Sequence, residues 1–120
     1  MRSILIYFFT CAACLFTIEL SAQSSKLDTI TLQVNGVCEM CKERIETASY
    51  DVPGVKHVNW DLESEILTAI IVPKKASKQK IAEAVAKAGY TNELVKADSN
   101  AYAELPKCCQ YESVQKHNNR

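Results

Sequence analysis

Asp28-Thr29-Ile30-Thr31-Leu32-Gln33-Val34, running on through Asn35-Gly36-Val37 into Cys38-Glu39-Met40-Cys41, is the stretch that decides the fold. Ile30, Leu32 and Val34 alternate with Thr29, Thr31 and Gln33, the period-two pattern of a half-buried strand. Asn35-Gly36 breaks it. From Cys41 the period changes. Cys41, Ile45 and Ala48 fall four and then three residues apart, with Lys42, Glu43 and Glu46 between them, which is one face of a short helix. The Cys-x-x-Cys pair therefore sits where a strand turns into a helix.

Working outward, Asp51-Val52-Pro53-Gly54 ends that helix with turn residues. Val58, Trp60 and Leu62 alternate with His57, Asn59 and Asp61 as a second strand. Glu63-Ser64 is a tight connection to a third, Glu65 to Val72, which Pro73 stops. Ser77 is the N-cap of a second helix that carries Ile81, Ala84, Val85 and Ala88 on one face and closes at Gly89. Tyr90 to Lys96 is expected to form a last, shorter strand. The order β-α-β-β-α-β is the split βαβ arrangement of ferredoxin-like α+β folds. It predicts a four-stranded antiparallel sheet with two helices on one face, followed by a tail that carries two more cysteines.

Composition narrows the function. The chain has 120 residues, room for one domain, and its 14 Lys and Arg balance 14 Asp and Glu. Zero net charge argues against a nucleic-acid binder, which needs a field of one sign. An apolar fraction of 48% excludes a disordered chain. No Ser-His-Asp arrangement, phosphate loop or paired buried carboxylates suggest catalysis, so no enzyme and no catalytic substrate are expected.

The first 22 residues are expected to be an export signal. Arg2 precedes an apolar run from Ile4 to Ile18, and Leu20-Ser21-Ala22 supplies small residues for cleavage. That run of 15 residues is short of the roughly 20 that span a bilayer. Lipidation at Cys14 is the lesser alternative, and Cys11 and Cys14 are otherwise apolar filler. The protein is expected in the periplasm or cell envelope, with Cys38, Cys41, Cys108 and Cys109 in the mature chain. Four cysteines allow three disulfide connectivities, and the sequence does not choose among them.

A helix N-terminus stabilises thiolates, and two residues between the sulfurs let both reach one ion. Paired thiolates suit Cu(I) and other soft cations, and Zn(II) when further ligands are at hand. The vicinal Cys108-Cys109 cannot readily close an unstrained disulfide on itself. Each of the two needs another partner: a metal, Cys38 or Cys41, or a second molecule. Tyr102, Leu105 and Pro106 ahead of the pair suggest a tail that docks. His117 is read as solvated and His57 as a surface residue.

Val34-Asn35-Gly36-Val37-Cys38-Glu39-Met40-Cys41 with Ile45-Glu46, Pro53-Gly54-Val55, Trp60-Asp61-Leu62 and Lys87-Ala88-Gly89-Tyr90 resembles the heavy-metal-associated domains. These include copper chaperones, modules of metal-transporting ATPases and the periplasmic mercury-binding protein. The resemblance covers residues 27–96, leaving 97–120 as the tail. It implies Cys38 and Cys41 as metal ligands, with Tyr90 packed near the site. The loop departs from the family pattern, running one residue shorter before Cys38 and placing a Met, Met40, between the ligands. The expected cargo is one soft ion, Cu(I) foremost, with Hg(II) or Zn(II) as alternatives. Thiolate exchange would sequester it or pass it to a metal-transporting membrane protein or another Cys-pair carrier. A thiol–disulfide redox protein using Cys38 and Cys41 is the alternative. Cys108 and Cys109 are candidate further ligands or resolving thiols.

Overall fold

The computed structural model describes residues 26–113. Strand β1 (Asp28–Gln33) leads to helix α1 (Glu39–Tyr50), the hairpin β2 (Val55–Asp61) and β3 (Ile66–Ile71), helix α2 (Lys78–Lys87), a short helix α3 (Ser99–Glu104) and a 3₁₀ turn over Lys107–Cys109. The export segment with Cys11 and Cys14, and His117 at the other end, lie outside the described residues. None of the described helices is long and apolar enough to cross a membrane.

The sheet has the order β1-β3-β2, antiparallel throughout. Alternation does the work expected of it. Leu32, Val58, Trp60, Leu67, Ala69 and Ile71 point to one buried face, and α1 and α2 pack against that face and against each other. Trp60 is completely buried, and its indole N–H donates to the Val34 carbonyl at 3.1 Å, tying β2 to the end of β1. Lys42 and Glu46 on α1 form an ion pair at 3.0 Å. Lys42 also donates to the Trp60 carbonyl at 2.6 Å, and the Glu46 carboxylate accepts from the Trp60 N–H at 2.9 Å. These contacts fix α1 over β2.

The fourth strand is a correction. The sheet of the described residues has three strands, and Tyr90 to Lys96 meets its edge at one isolated bridge, Val34 with Asn92, instead of a ladder. The reason is Asn92. Its side-chain oxygen accepts from the N–H groups of Leu94 and Val95 at 3.1 and 3.0 Å, and its amide donates to the Ala82 carbonyl at 2.9 Å. Thr91 takes the Ala97 N–H in the same way. Side chains thus capture the N–H groups a ladder needs, and the backbone curls. Two backbone bonds still lace the segment to the sheet edge: Asn35 N–H to Thr91 and Glu93 N–H to Gln33. The helix–sheet packing of a ferredoxin-like α+β fold is kept.

Smaller differences follow the same logic. Ser49, not Ala48, is buried on α1, because its hydroxyl satisfies itself on the Ile45 carbonyl at 2.8 Å. On α2 the buried face is Ile81, Ala82, Val85 and Ala86, with Ala84 and Ala88 only half-buried. Leu62 lies past the end of β2 and is exposed.

Candidate metal centre

Cys38 is the N-cap of α1. Its backbone is extended, and its sulfur accepts from the Cys41 N–H at 3.4 Å, filling the role Ser or Asp more often takes. Cys41 follows in the first helical turn, fully buried, with its sulfur 3.1 Å from that of Cys38. The loop ahead of them is set by close contacts. A Cβ on Gly36 would stand 2.9 Å from two carbons of the Trp60 ring, so the chain passes over the indole only because glycine has none. Glu65 in the β2–β3 turn holds the same loop, its carbonyl accepting from Val34 N–H at 2.9 Å and its carboxylate from Gly36 N–H at 3.2 Å.

The tail brings two more sulfurs to this point. Cys109 is buried with its sulfur 3.8 Å from Cys38, and the exposed Cys108 lies 4.0 Å from Cys109. The sulfurs of Cys38, Cys108 and Cys109 all lie within 4.8 Å of one another. The four cysteines among the described residues are free thiols. Met40, 45% exposed, turns its thioether toward Cys108 at 3.9 Å and so rims the cluster rather than filling the core. His57 is exposed on β2, its ring nitrogen 3.3 Å from the Tyr50 hydroxyl.

Charge is distributed unevenly over these thiols. Desolvation pushes Cys38 up, but hydrogen bonds from the Cys41 thiol and N–H, and then from Cys109 and the Met40 N–H, outweigh it. Its pKa falls below the ordinary thiol value. Burial raises Cys41, with the neighbouring Cys38 sulfur adding to the rise. Burial likewise pushes Cys109 up to about 12, helped by its hydrogen bonds to Cys41 and Cys38. Of Cys38, Cys41 and Cys109, Cys38 is the one whose surroundings favour the thiolate, and it is the one that is not buried.

Tyr90 stands behind the cluster, fully buried. Its hydroxyl closes no hydrogen bond among the described residues, while the thiols of Cys41 and Cys109 are its polar neighbours. Burial and those two sulfurs hold the phenol well above its ordinary pKa, so it stays an O–H donor. An all-sulfur donor set backed by an uncommitted O–H suits a soft ion and offers a hard one nothing. Tyr111 is the residue the sequence reading did not single out. It is fully buried against Tyr90, with ring centroids 5.9 Å apart, and its hydroxyl donates to the Gly89 carbonyl and accepts from Thr91 N–H. An aromatic two residues beyond the vicinal pair was the available signal.

Comparisons with known proteins agree with the fold. No curated protein sequence matches the chain. Oxidized MerP from Ralstonia metallidurans CH34 is a structural neighbour at 32% identity and TM-score 0.54, the match covering 57% of this chain and 96% of that one. The N-terminal domain of a potential copper-translocating P-type ATPase from Bacillus subtilis, in its Cu(I)-loaded state, is similar at 28% identity and TM-score 0.54, covering 62% and 94%. A putative copper-ion-binding protein from Bacillus anthracis str. Ames is similar at 25% identity and TM-score 0.54, covering 58% and 100%. The profile of the heavy-metal-associated domain matches residues 31–91 of the 120, spanning β1 through α2 and both cysteines of the loop, and the chain belongs to that family.

Proposed function

We propose that this chain carries one soft metal ion, Cu(I) in the first place and Hg(II) or Zn(II) otherwise, on Cys38 and Cys41, without catalysing a reaction. It sequesters the ion or hands it on by thiolate exchange in the periplasm or cell envelope. The recipient is a metal-transporting membrane protein or another Cys-pair carrier. The observation that carries this reading is the asymmetry of the pair. Cys38 is half-exposed with a lowered pKa, while Cys41 is buried 3.1 Å away. A partner's sulfur reaches the ion from the Cys38 side while Cys41 still holds it, so exchange passes through a shared intermediate and the ion is never released to water.

The same asymmetry supports a second reading. An accessible thiol of lowered pKa beside a buried one is also the pattern of an attacking and a resolving thiol, as in a thiol–disulfide redox protein. Family membership favours the metal. The reduced full chain, titrated with Cu(I) against a competing chelator, separates the two. One tightly bound ion is expected, with tight binding abolished in Cys38→Ser and Cys41→Ser. A chain that binds no soft ion yet turns over a disulfide substrate reverses the order of the readings.

A further inference from the structure

The four described thiols come from two segments about seventy residues apart: the sulfurs of Cys38, Cys108 and Cys109 lie within 4.8 Å of one another, and Cys41 adjoins that group through Cys38 at 3.1 Å. Thiolates that share one ion at a metal–sulfur distance of about 2.3 Å stand about 3.8 Å apart in a tetrahedral site and about 4.0 Å apart in a trigonal one. Cys38 and Cys109 are 3.8 Å apart, and Cys108 and Cys109 are 4.0 Å apart. Cys38 and Cys41, at 3.1 Å, have to widen by less than about 1 Å, and Cys41, which stands outside the three-sulfur group, has to draw in toward the tail sulfurs as the ion binds. A two-coordinate linear site asks for much more, because its sulfurs lie about 4.6 Å apart across the ion.

Packing and hydrogen bonds of its own hold the tail in place. Leu105 and Tyr111 are buried, Tyr111 packs between Tyr90 and Tyr102, and its hydroxyl is bonded at both ends. Extra ligands presented on a docked tail are pre-organised, so ordering them takes little from the affinity. Packing explains a buried Cys109. It does not explain Cys108, which is exposed, contributes nothing to the core, and still turns its sulfur toward the cluster and the Met40 thioether.

We infer that Cys108 and Cys109 are ligands too, and that the tail closes the centre into a four-sulfur site. The inference rests on the reading that Cys38 and Cys41 hold the ion. Each thiol that joins gives its proton to solvent. The cargo is then a soft or borderline d¹⁰ ion that accepts more than two thiolates. A two-sulfur site leaves positions open for a recipient's thiolate; a four-sulfur site does not. This chain therefore retains its ion until the tail sulfurs are displaced, and acts as a store rather than a fast relay.

The test is X-ray absorption on the reduced full chain loaded with one equivalent of Zn(II), at a concentration where the loaded chain sediments as a monomer. Cu(I) loading is run as a parallel arm. Four sulfurs around zinc are expected in the wild type and three in Cys108→Ser, an exposed change that leaves the core intact. The double variant Cys108→Ser/Cys109→Ser is expected to show two. The wild-type and Cys108→Ser spectra decide the matter even if loss of the buried Cys109 prevents folding. Three sulfurs in both wild type and Cys108→Ser removes Cys108 and overturns the four-sulfur site. Cu(I) held by two sulfurs, with zinc bound by two or not at all, overturns the tail's role and leaves Cys38 and Cys41 standing. A wild type that binds neither ion overturns both readings.

Discussion

The loop that carries Cys38 and Cys41 and the tail that carries Cys108 and Cys109 meet at the same sulfurs, but different forces hold them there. The loop is set by neighbours close in the fold's own logic: the N-cap of α1, a glycine passing over Trp60, and the β2–β3 turn reaching back through Glu65. Among the described residues the tail has no strand partner. It is held by a few buried side chains, chiefly Leu105, Cys109 and Tyr111, by the two hydrogen bonds of the Tyr111 phenol, and at its start by Ala97 N–H to the Thr91 hydroxyl and Asp98 N–H to the Ala86 carbonyl. A region built into the core shares the core's stability. A region stapled on by a few contacts opens at lower cost and can be lost alone. Cys38 and Cys41 thus sit on a rigid frame, and Cys108 and Cys109 on a detachable one.

Trp60 is where this division is broken most severely. It is fully buried under the loop and bonds to both β1 and α1. Trp60→Ala is expected to cost about 3–5 kcal/mol, most of what a domain this small possesses. Loop and tail should fail together, seen as one loss of cooperative unfolding in urea. If the tail came away while the strands stayed folded, the loop would not be part of the core.

Two milder changes separate the regions. Gly36→Ala drives a Cβ into the Trp60 ring and is expected to cost about 1–3 kcal/mol, shifting the loop while Tyr111 stays docked. Tyr111→Phe leaves the Gly89 carbonyl and the Thr91 N–H short of a partner, for about 1–3 kcal/mol felt at the tail. Hydrogen exchange reads both. Gly36→Ala should deprotect the start of α1, and Tyr111→Phe should deprotect α3 and the 3₁₀ turn. Overlapping patterns would mean that loop and tail are one cooperative unit.

Acidity gives a further way to sharpen the contrast, in the ion-free reduced chain. Cys109 and Cys41 have pKa values above the ordinary thiol value, so each favours the folded state below that value and loses its contribution as pH rises toward the folded pKa. For Cys109 that window runs from about 9 to about 12. Cys38 has the opposite sign. Its contribution is present above the ordinary thiol pKa and is lost as pH falls through its lowered one. Above the ordinary thiol pKa the contribution of Cys38 is complete, so the raised thiols, with the buried Tyr90 phenol adding to them, give a net fall in Tm on the alkaline side. Cys109→Ala should make that fall shallower. An unchanged slope would show that Cys109 ionises as freely folded as unfolded.

The two regions also differ in how far the sequence foretells them. Alternation in Ile30-Leu32-Val34 and around Trp60 finds the strands, because one face must be apolar at every second residue. The change of period at Cys41 finds α1. The fourth strand fails because Asn92 and Thr91 offer the backbone nearer partners than the neighbouring strand does, a competition that periodicity does not register. Ser49 enters the core against its polarity by bonding to its own helix. In the tail, Tyr102 and Leu105 announce docking but carry no period, and nothing local says which sulfurs lie beneath. Asp98 capping Ala101 N–H was a readable start for α3, yet a helix of six residues has no apolar stripe to complete the signal.

Tyr90→Phe is the smallest expected effect and touches the seam between the regions. A buried O–H with no partner costs about 1–3 kcal/mol relative to one that is paired, so removing it should leave the ion-free chain unchanged or slightly more stable. The ring keeps its packing against Tyr111. The loaded chain should respond the other way. Once Cys41 and Cys109 become thiolates, the phenol has acceptors, and Phe removes a charge-assisted bond that exists only in that state. The rise in Tm on loading should therefore be smaller in Tyr90→Phe than in the wild type. A variant that loses stability ion-free, with the loading increment intact, would mean that the hydroxyl is already paired with a thiol in the empty site and holds loop to tail from the start.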